Sequence, residues 1–294
     1  MFFRHRLVLA LLERAGKPLD PTTLVKLAFL LRQETAVGGD KTFYSFVPYR
    51  LGPFSFSLYR ELNGLARDGY VLRTDKHVRL NPEALDLSRE KIAELSACQR
   101  ESVDVVVSKY GRMRWRSLIE SVYERYPWYA INSELSDFLP DNPPAVPAVR
   151  TAAYTVGYEG KSVDAFFNGL LEAGIKAVSD VRANPISRKY GFAKRSLSEI
   201  ARRLGVTYYH LPELGIDSVH RSGLQDFDSY QRLLDQYERD VLPRRSSNIR
   251  YLAKLLKKEP SAILCVEKDV RCCHRGRLAK AVGAVSGLPV IHLQ

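Results

Sequence analysis

The sequence predicts two domains. The N-terminal one is mainly α with a small β-hairpin, winged-helix-like, and the C-terminal one is α/β, Rossmann-like with a mostly parallel sheet. Three observations carry this reading. A proline-rich break divides the 294-residue chain, apolar residues recur at helical spacing before it, and short β-rich runs alternate with helical runs after it. The break is LPDNPPAVPAVR, whose four prolines remove amide donors and disfavour helix. It sets the expected division at 1–138, a linker at 139–151, and 152–294.

Before the break, residues 3–15 form an amphipathic stretch whose apolar run, Leu7 to Leu12, is too short to span a bilayer and lacks a small-residue cleavage site. Asp20-Pro21-Thr22 starts a second helix through LVKLAFLLRQE, and Gly38-Gly39 ends it. An extended run, TFYSFVPY, follows. Pro53 is expected to open a third helix with Leu58, Leu62 and Leu65 on one face. YVLR and HVRL, separated by Thr74-Asp75-Lys76, read as a hairpin. Two further helices are expected near 88–110 and 113–125.

After the break, strands are expected at 154–157, 177–181, 207–211, 262–266 and 290–293, with helices at 162–173, 226–240, 247–258 and 274–284 between them. Alternation of this kind builds a parallel sheet covered by helices, and such sheets bind ligands at the carboxyl ends of their strands. Polar residues gather at those ends: Tyr158 and Glu159, Asp180 and Arg182, His210, and Glu267.

Composition narrows the partners. With 45% apolar and 27% charged residues, neither a disordered chain nor a membrane protein fits. Four cysteines do not make a disulfide scaffold, so a reducing, cytoplasmic setting is expected. The net charge is +12, with +4 on residues 1–150 and +8 on the rest. A positive surface of this size suits nucleic acid or a phosphate-bearing small molecule.

The C-terminal domain resembles the domain-of-unknown-function 488 family. TVGYEGKSVDAF, SDVRANPISRKYGFAKRSL, YYHLPELG and LCVEKDVRCCHRGRLA carry the resemblance, in that order. It implies a Rossmann-like fold and a shared pocket, without a settled reaction. The N-terminal domain resembles the Panacea-type antitoxin region through LVKLAFLL and YSFVPYRLGPFSFSLYRELNGLARDGYV. The tyrosine–glycine–proline–serine signature of that region stands here as Tyr49, Gly52, Pro53 and Ser55. This second resemblance implies a protein–protein module with a winged-helix flavour, which makes a protein partner the rival to DNA.

Several residues are candidates for chemistry. Cys273-His274-Arg275 should open a helix, where unpaired amides favour an anion or a thiolate. Cys273 is therefore a candidate nucleophile with a lowered pKa, weighed against a small buried packing residue, and His274 and Arg275 are candidate phosphate ligands. The C-x5-R spacing from Cys265 to Arg271 is set aside as a phosphatase loop, because Glu267 and Asp269 would repel an anion. The pairing of Asp180-Val181-Arg182 with a later cysteine loop is similar to rhodanese-like sulfurtransferases only in topology. No metal is expected. Cys265, Cys272, Cys273 and His274 contain no C-x2-C pair, and adjacent side chains diverge. No cofactor is expected either, since no G-x-G-x-x-G follows the first strand.

Arg182 is expected to bind an anion, with Asp180 beside it as an anchor or a base. A basic loop with interleaved aromatics, including Arg188, Lys189, Tyr190, Phe192, Lys194 and Arg195, suits phosphates and stacked bases. Glu159 and Glu267 are the acid/base candidates. Tyr158 could stack on a base, and His210 could shuttle protons or simply pack. In the N-terminal domain Arg60, Arg67, Arg73, Lys76 and Arg79 fall on the third helix and hairpin, the elements by which a winged helix meets DNA. The expectation is a nucleic-acid- or nucleotide-processing protein, as a hydrolase or group transferase if it is an enzyme. Its rival is a non-catalytic DNA-binding regulator or antitoxin-like adaptor with a ligand-sensing α/β domain.

Overall fold

The computed structural model describes residues 1–139, 145, 147–217 and 226–293. The chain forms two units, Met1–Ala145 and Val146–Gln294. Six of the thirteen residues of the expected linker, 140–144 and 146, lie outside the described residues.

In the first unit, α1 (Phe3–Ala15) buries Leu7 to Leu12 without a gap, and α2 (Pro21–Glu34) buries nine consecutive residues, Thr23 to Leu31. A helix that is apolar on every side belongs in a core, so these two helices form the centre of the unit. Asp20 caps α2, its carboxylate accepting from the Thr23 amide at 2.9 Å. Pro53 does not open a helix, contrary to the sequence expectation. It lies in β2 (Gly52–Phe54), paired antiparallel with β1 (Val47–Tyr49). The helix α3 (Phe56–Arg67) begins after Ser55, whose hydroxyl accepts from the Leu58 amide. A serine cap outcompetes a proline start because it satisfies an orphan donor.

The hairpin of β3 (Val71–Arg73) and β4 (Val78–Leu80) stands where the sequence put it. Leu19, between α1 and α2, adds one antiparallel bridge to Val78. The single helix expected at 88–110 is two, α4 (Leu85–Ala93) and α5 (Ala97–Tyr110). Ser96 and Gln99 form a reciprocal capping box that restarts the chain. Helix α6 (Trp115–Arg125) completes the unit.

The second unit holds a five-stranded, all-parallel sheet: β5 (Ala153–Gly157), β6 (Ala177–Asp180), β7 (Thr207–His210), β8 (Ser261–Cys265) and β9 (Val290–Leu293), in the order β7-β6-β8-β5-β9. The three inner strands are buried throughout and the two edge strands are half-exposed, as neighbours on one or both sides dictate. Between strands run α7 (Val163–Glu172), α8 (Lys194–Arg203), α9 (Phe227–Gln236), α10 (Ser246–Lys258) and α11 (His274–Ser286). Helix α8 was not among the expected segments, and α9 continues into a π-helical turn, Tyr237–Val241.

The strand order differs from the dinucleotide-binding order, because β8 inserts between β6 and β5. From β5 the chain leaves toward β6. From the adjacent β8 it leaves in the opposite direction, toward β9. Two neighbouring strands whose connections run in opposite directions open a crevice at their carboxyl ends.

Candidate functional site

That crevice is a cavity of about 520 Å³ at the ends of β5, β8 and β9. Gly157 and Glu159 line it after β5, Lys268 to Arg271 after β8, Arg275 from the first turn of α11, and His292 from β9, with Lys161 at the rim. Gly157 is required for space. A methyl group there would come within 2.0 Å of the Glu267 carbonyl oxygen.

Cations outnumber carboxylates in the cavity, with Lys161, Lys268, Arg271 and Arg275 set against Glu159 and Asp269. Arg275 is 2% exposed, yet its guanidinium donates to two carbonyls, those of Glu267 and Lys268, and its buried Nε has no partner. Burial, then repulsion from Arg275 and Lys268, pulls the Lys161 pKa down. His292 is lowered in the same way by burial and by Arg275 and Lys280. The cations therefore repel one another, although two carboxylates share the crevice with them. Both carboxylates are engaged by groups of the same loop. Asp269 is held to about 2 by its bonds from Arg271, and Glu159 accepts the Lys268 amide at 2.8 Å.

Arg182 does not reach this cavity. It lies at the same end of the sheet as Arg275 but is 2% exposed and held internally. Its Nε and Nη2 donate to Asp180 at 2.8 and 2.5 Å, and Nη1 donates to the Tyr158 hydroxyl and the Phe192 carbonyl. Burial alone would lower the Arg182 pKa, and the bonds to Asp180 carry it above its ordinary value. Tyr208 donates to the same carboxylate at 2.6 Å, and burial with that negative neighbour pushes its phenol upward. The expected anion ligand is thus the buried partner of Asp180, whose carboxylate accepts from the Arg182 amide at 3.1 Å as well as from its side chain.

Tyr158 is also internal, stacked on Phe192 with centroids 4.1 Å apart. His210 bonds through Nε2 to the Arg182 carbonyl at 3.0 Å and through Nδ1 to Lys194 at 2.9 Å. Since an ammonium can only donate, Nδ1 accepts and Nε2 carries the proton. Of the basic loop, Arg188, Lys194 and Arg195 are exposed, while Lys189 donates to the Tyr158 carbonyl at 3.3 Å.

The four expected catalytic residues do not share one cleft. Glu159 lines the cavity above, and Glu267 accepts from the Cys265 thiol at 3.4 Å. Cys273 and His274 are buried beneath the loop. The Cys273 thiol is pushed well above its ordinary pKa, by burial first and then by Cys265. This is opposite to the lowered value expected of a nucleophile, because burial outweighs the helix terminus. His274 donates through Nε2 to the Val181 carbonyl, 3.2 Å away, and is edge-on to Tyr237. The expected divergence of Cys273 and His274 does not occur. Cys273 is extended at the N-cap and His274 is the first helical residue, and both side chains turn toward Cys265.

In the first unit, Arg60 and Arg67 are exposed on α3, and Lys76 and Arg79 are exposed on the hairpin. Arg67 lies 3.6 Å from Asp68. Arg73 is spent locally, donating to Asn63 at 2.6 Å and lying 4.1 Å over the Tyr59 ring. A separate cavity of about 310 Å³ is lined by Tyr49, Gly52, Pro53, Phe54 and Tyr59, with Lys26 at its floor. The Lys26 ammonium donates to the Pro53 carbonyl at 3.0 Å, and burial lowers its pKa to about 7. Sequence reasoning missed Lys161, Lys268, His292 and Lys26. The Glu-Gly-Lys triplet after β5 was the one signal available for the cavity, since a glycine turn at a strand end brings its neighbours to the rim.

Residues 162–282 match the model of the family described as Domain of unknown function DUF488. The matched span runs from the cap of α7 into α11, and therefore holds Asp180, Arg182, Cys265, Cys273 and Arg275. No curated protein and no solved structure matches the chain. Among the described residues no helix is long and apolar enough to cross a membrane.

Proposed function

We propose that this chain is a nucleic-acid- or nucleotide-processing protein of a reducing, cytoplasmic setting, whose C-terminal Rossmann-like domain holds a phosphate-bearing ligand in the crevice between β5 and β8. The supporting observation is Arg275, a buried guanidinium bonded to carbonyls, surrounded by Lys161, Lys268 and His292 in a cavity where cations outnumber carboxylates. A phosphoryl group entering there would satisfy Arg275 and relieve the repulsion on Lys161. Glu159, on the same rim, is the group we assign to acid/base work if the ligand is transformed by hydrolysis or group transfer. The N-terminal unit is read as a winged helix that recruits DNA through Arg60, Arg67, Lys76 and Arg79. The order of α1, α2, α3 and the β3–β4 hairpin supports this, as does the isolated Leu19–Val78 bridge beside that hairpin.

A second reading, an adaptor that recruits a protein, is favoured by the cavity over Lys26. Its lining contains Tyr49, Gly52 and Pro53, which belong to the signature of the Panacea-type antitoxin region. One experiment separates these. Binding of labelled duplex DNA, single-stranded DNA and a nucleoside triphosphate is measured across a salt series for the intact chain. Lys161→Ala and Lys268→Ala should each weaken nucleotide binding about tenfold, consistent with a lost charged hydrogen bond. Arg60→Ala with Arg67→Ala should flatten the salt dependence of duplex binding and leave nucleotide binding unchanged. Nucleotide binding indifferent to Lys161 and Lys268 would reject the crevice, and absence of DNA binding at every salt would leave the adaptor.

A further inference from the structure

Beneath the crevice lies a group of side chains that the phosphate site does not use. Cys265 ends β8, and Cys273 and His274 begin α11. All three are buried, and their Sγ and ring nitrogen atoms lie within 4.8 Å of one another. We infer that Cys265, Cys273 and His274 bind a zinc ion, with a water molecule completing the tetrahedron.

The spacing fits the ion. Zinc takes thiolate sulfur at ~2.3 Å and imidazole nitrogen at ~2.0–2.1 Å, so a tetrahedral site separates the two ligand atoms by ~3.6 Å. Cys265 Sγ lies 3.6 Å from His274 Nδ1.

The imidazole is held in the form a metal needs. His274 Nε2 sits 3.2 Å from the Val181 carbonyl, which can only accept. The proton therefore belongs on Nε2, which leaves Nδ1 unprotonated, as a metal ligand must be. A backbone carbonyl fixing the far nitrogen is the usual outer support of a metal-ligating histidine. Tyr237, edge-on to the ring at 5.5 Å and anchored by its hydroxyl on the Leu214 carbonyl, closes the other side.

Charge and access agree with this assignment. Binding would release both thiol protons to solvent, and two thiolates neutralise a divalent ion in a buried setting. Cys273 also lines a second cavity of about 290 Å³ with Arg271 and His292, which gives an ion a path from the surface. The soft donor set of two sulfurs and an imidazole selects zinc over magnesium or calcium.

The test uses the full chain, purified under reductant with any affinity tag removed. Elemental analysis after dialysis should find one zinc per chain, and cobalt-substituted protein should show thiolate-to-cobalt charge transfer with the intense ligand-field bands of a tetrahedral site. Cys265→Ser, Cys273→Ser and His274→Ala should each lose the metal, while Cys98→Ser and Cys272→Ser should keep it. Alkylation of the wild-type chain, mapped by mass spectrometry, tests the site without any variant. Cys265 and Cys273 should react only after a chelator removes the ion. The inference is overturned by a folded, reduced chain that retains no zinc. It is equally overturned by cobalt spectra without thiolate transfer, by protection that maps to Cys98 or Cys272, or by a Cys265–Cys273 disulfide formed without metal.

Discussion

Two buried or half-buried carboxylates show how single residues set the stability of each unit. Asp180 is fully buried and carries Arg182 and Tyr208 on its two oxygens. Removing one member of a buried pair leaves an uncompensated charge and costs ~3–5 kcal/mol. Asp180→Ala should therefore destabilise the second unit by that amount, read as lost amide protection in β6 and β7 by hydrogen exchange. Asp180→Ala combined with Arg182→Met should cost less than the single change. Equal losses would mean that the pair contributes no coupling. In the first unit, Glu61 accepts from Arg4 at 2.8 and 2.6 Å, from His5 at 2.8 Å and from Tyr44 at 2.8 Å. Burial alone would raise its pKa, but the bonds from His5, Arg4 and Tyr44 outweigh it and bring it from 4.5 to about 2. A carboxylate whose folded pKa is depressed binds its proton more readily unfolded. Its contribution is complete above the unfolded value and is lost as pH falls from about 4.5 toward 2. After allowance for solvent screening this amounts to roughly 2 kcal/mol. Urea unfolding of the chain followed by fluorescence of Trp115 and Trp128 should show this acid limb, and Glu61→Gln should flatten it. An unchanged limb in the variant would assign the acid sensitivity to other groups.

At the scale of elements, the loop after β8 is the piece on which the site depends. Its Val266 carbonyl accepts the amides of Tyr158 and Glu159 at 3.1 and 2.9 Å, and its Glu267 and Lys268 carbonyls hold Arg275. This close approach is possible because Gly157 ends β5 without a side chain. Gly157→Ala places a methyl against a backbone oxygen, which cannot rotate away as a side chain would. The expected cost is ~1–3 kcal/mol of overpacking, with phosphate-ligand binding lost together with the Arg275 geometry. Thermal unfolding and nucleotide binding measured on the same variant check this. A variant with wild-type stability and affinity would show that the loop is free to shift. The helices illustrate the same dependence on local chemistry. Ser55 and Ser96 start α3 and α5 through their hydroxyls, and those caps, more than the neighbouring proline or the apolar period, fixed where the helices begin.

Across the whole molecule, the alternation after residue 152 made the α/β class legible, because β-branched runs and amphipathic helices bury their apolar faces in only a few ways. The excess of +8 on residues 151–294 likewise pointed to an anionic partner. Where the cations go was not legible. Arg182 and Arg275 follow adjacent strands β6 and β8, yet one is consumed by Asp180 and the other lines the crevice.

The sequence by itself determined the two-part organisation, the identity and order of most elements, and the carboxyl rim of the sheet as the place where polar residues collect. These follow from periodicity, caps and proline, which act over a few neighbouring residues and are written in the chain. The tertiary structure alone decided the insertion of β8 between β6 and β5, which placed the crevice beside β9 and brought Lys161 and His292 to it. It also decided the convergence of Cys265 with Cys273 and His274. Both outcomes depend on strand order and on the direction of side chains at a helix start. Those are settled by packing between segments far apart in sequence, and no local pattern records them.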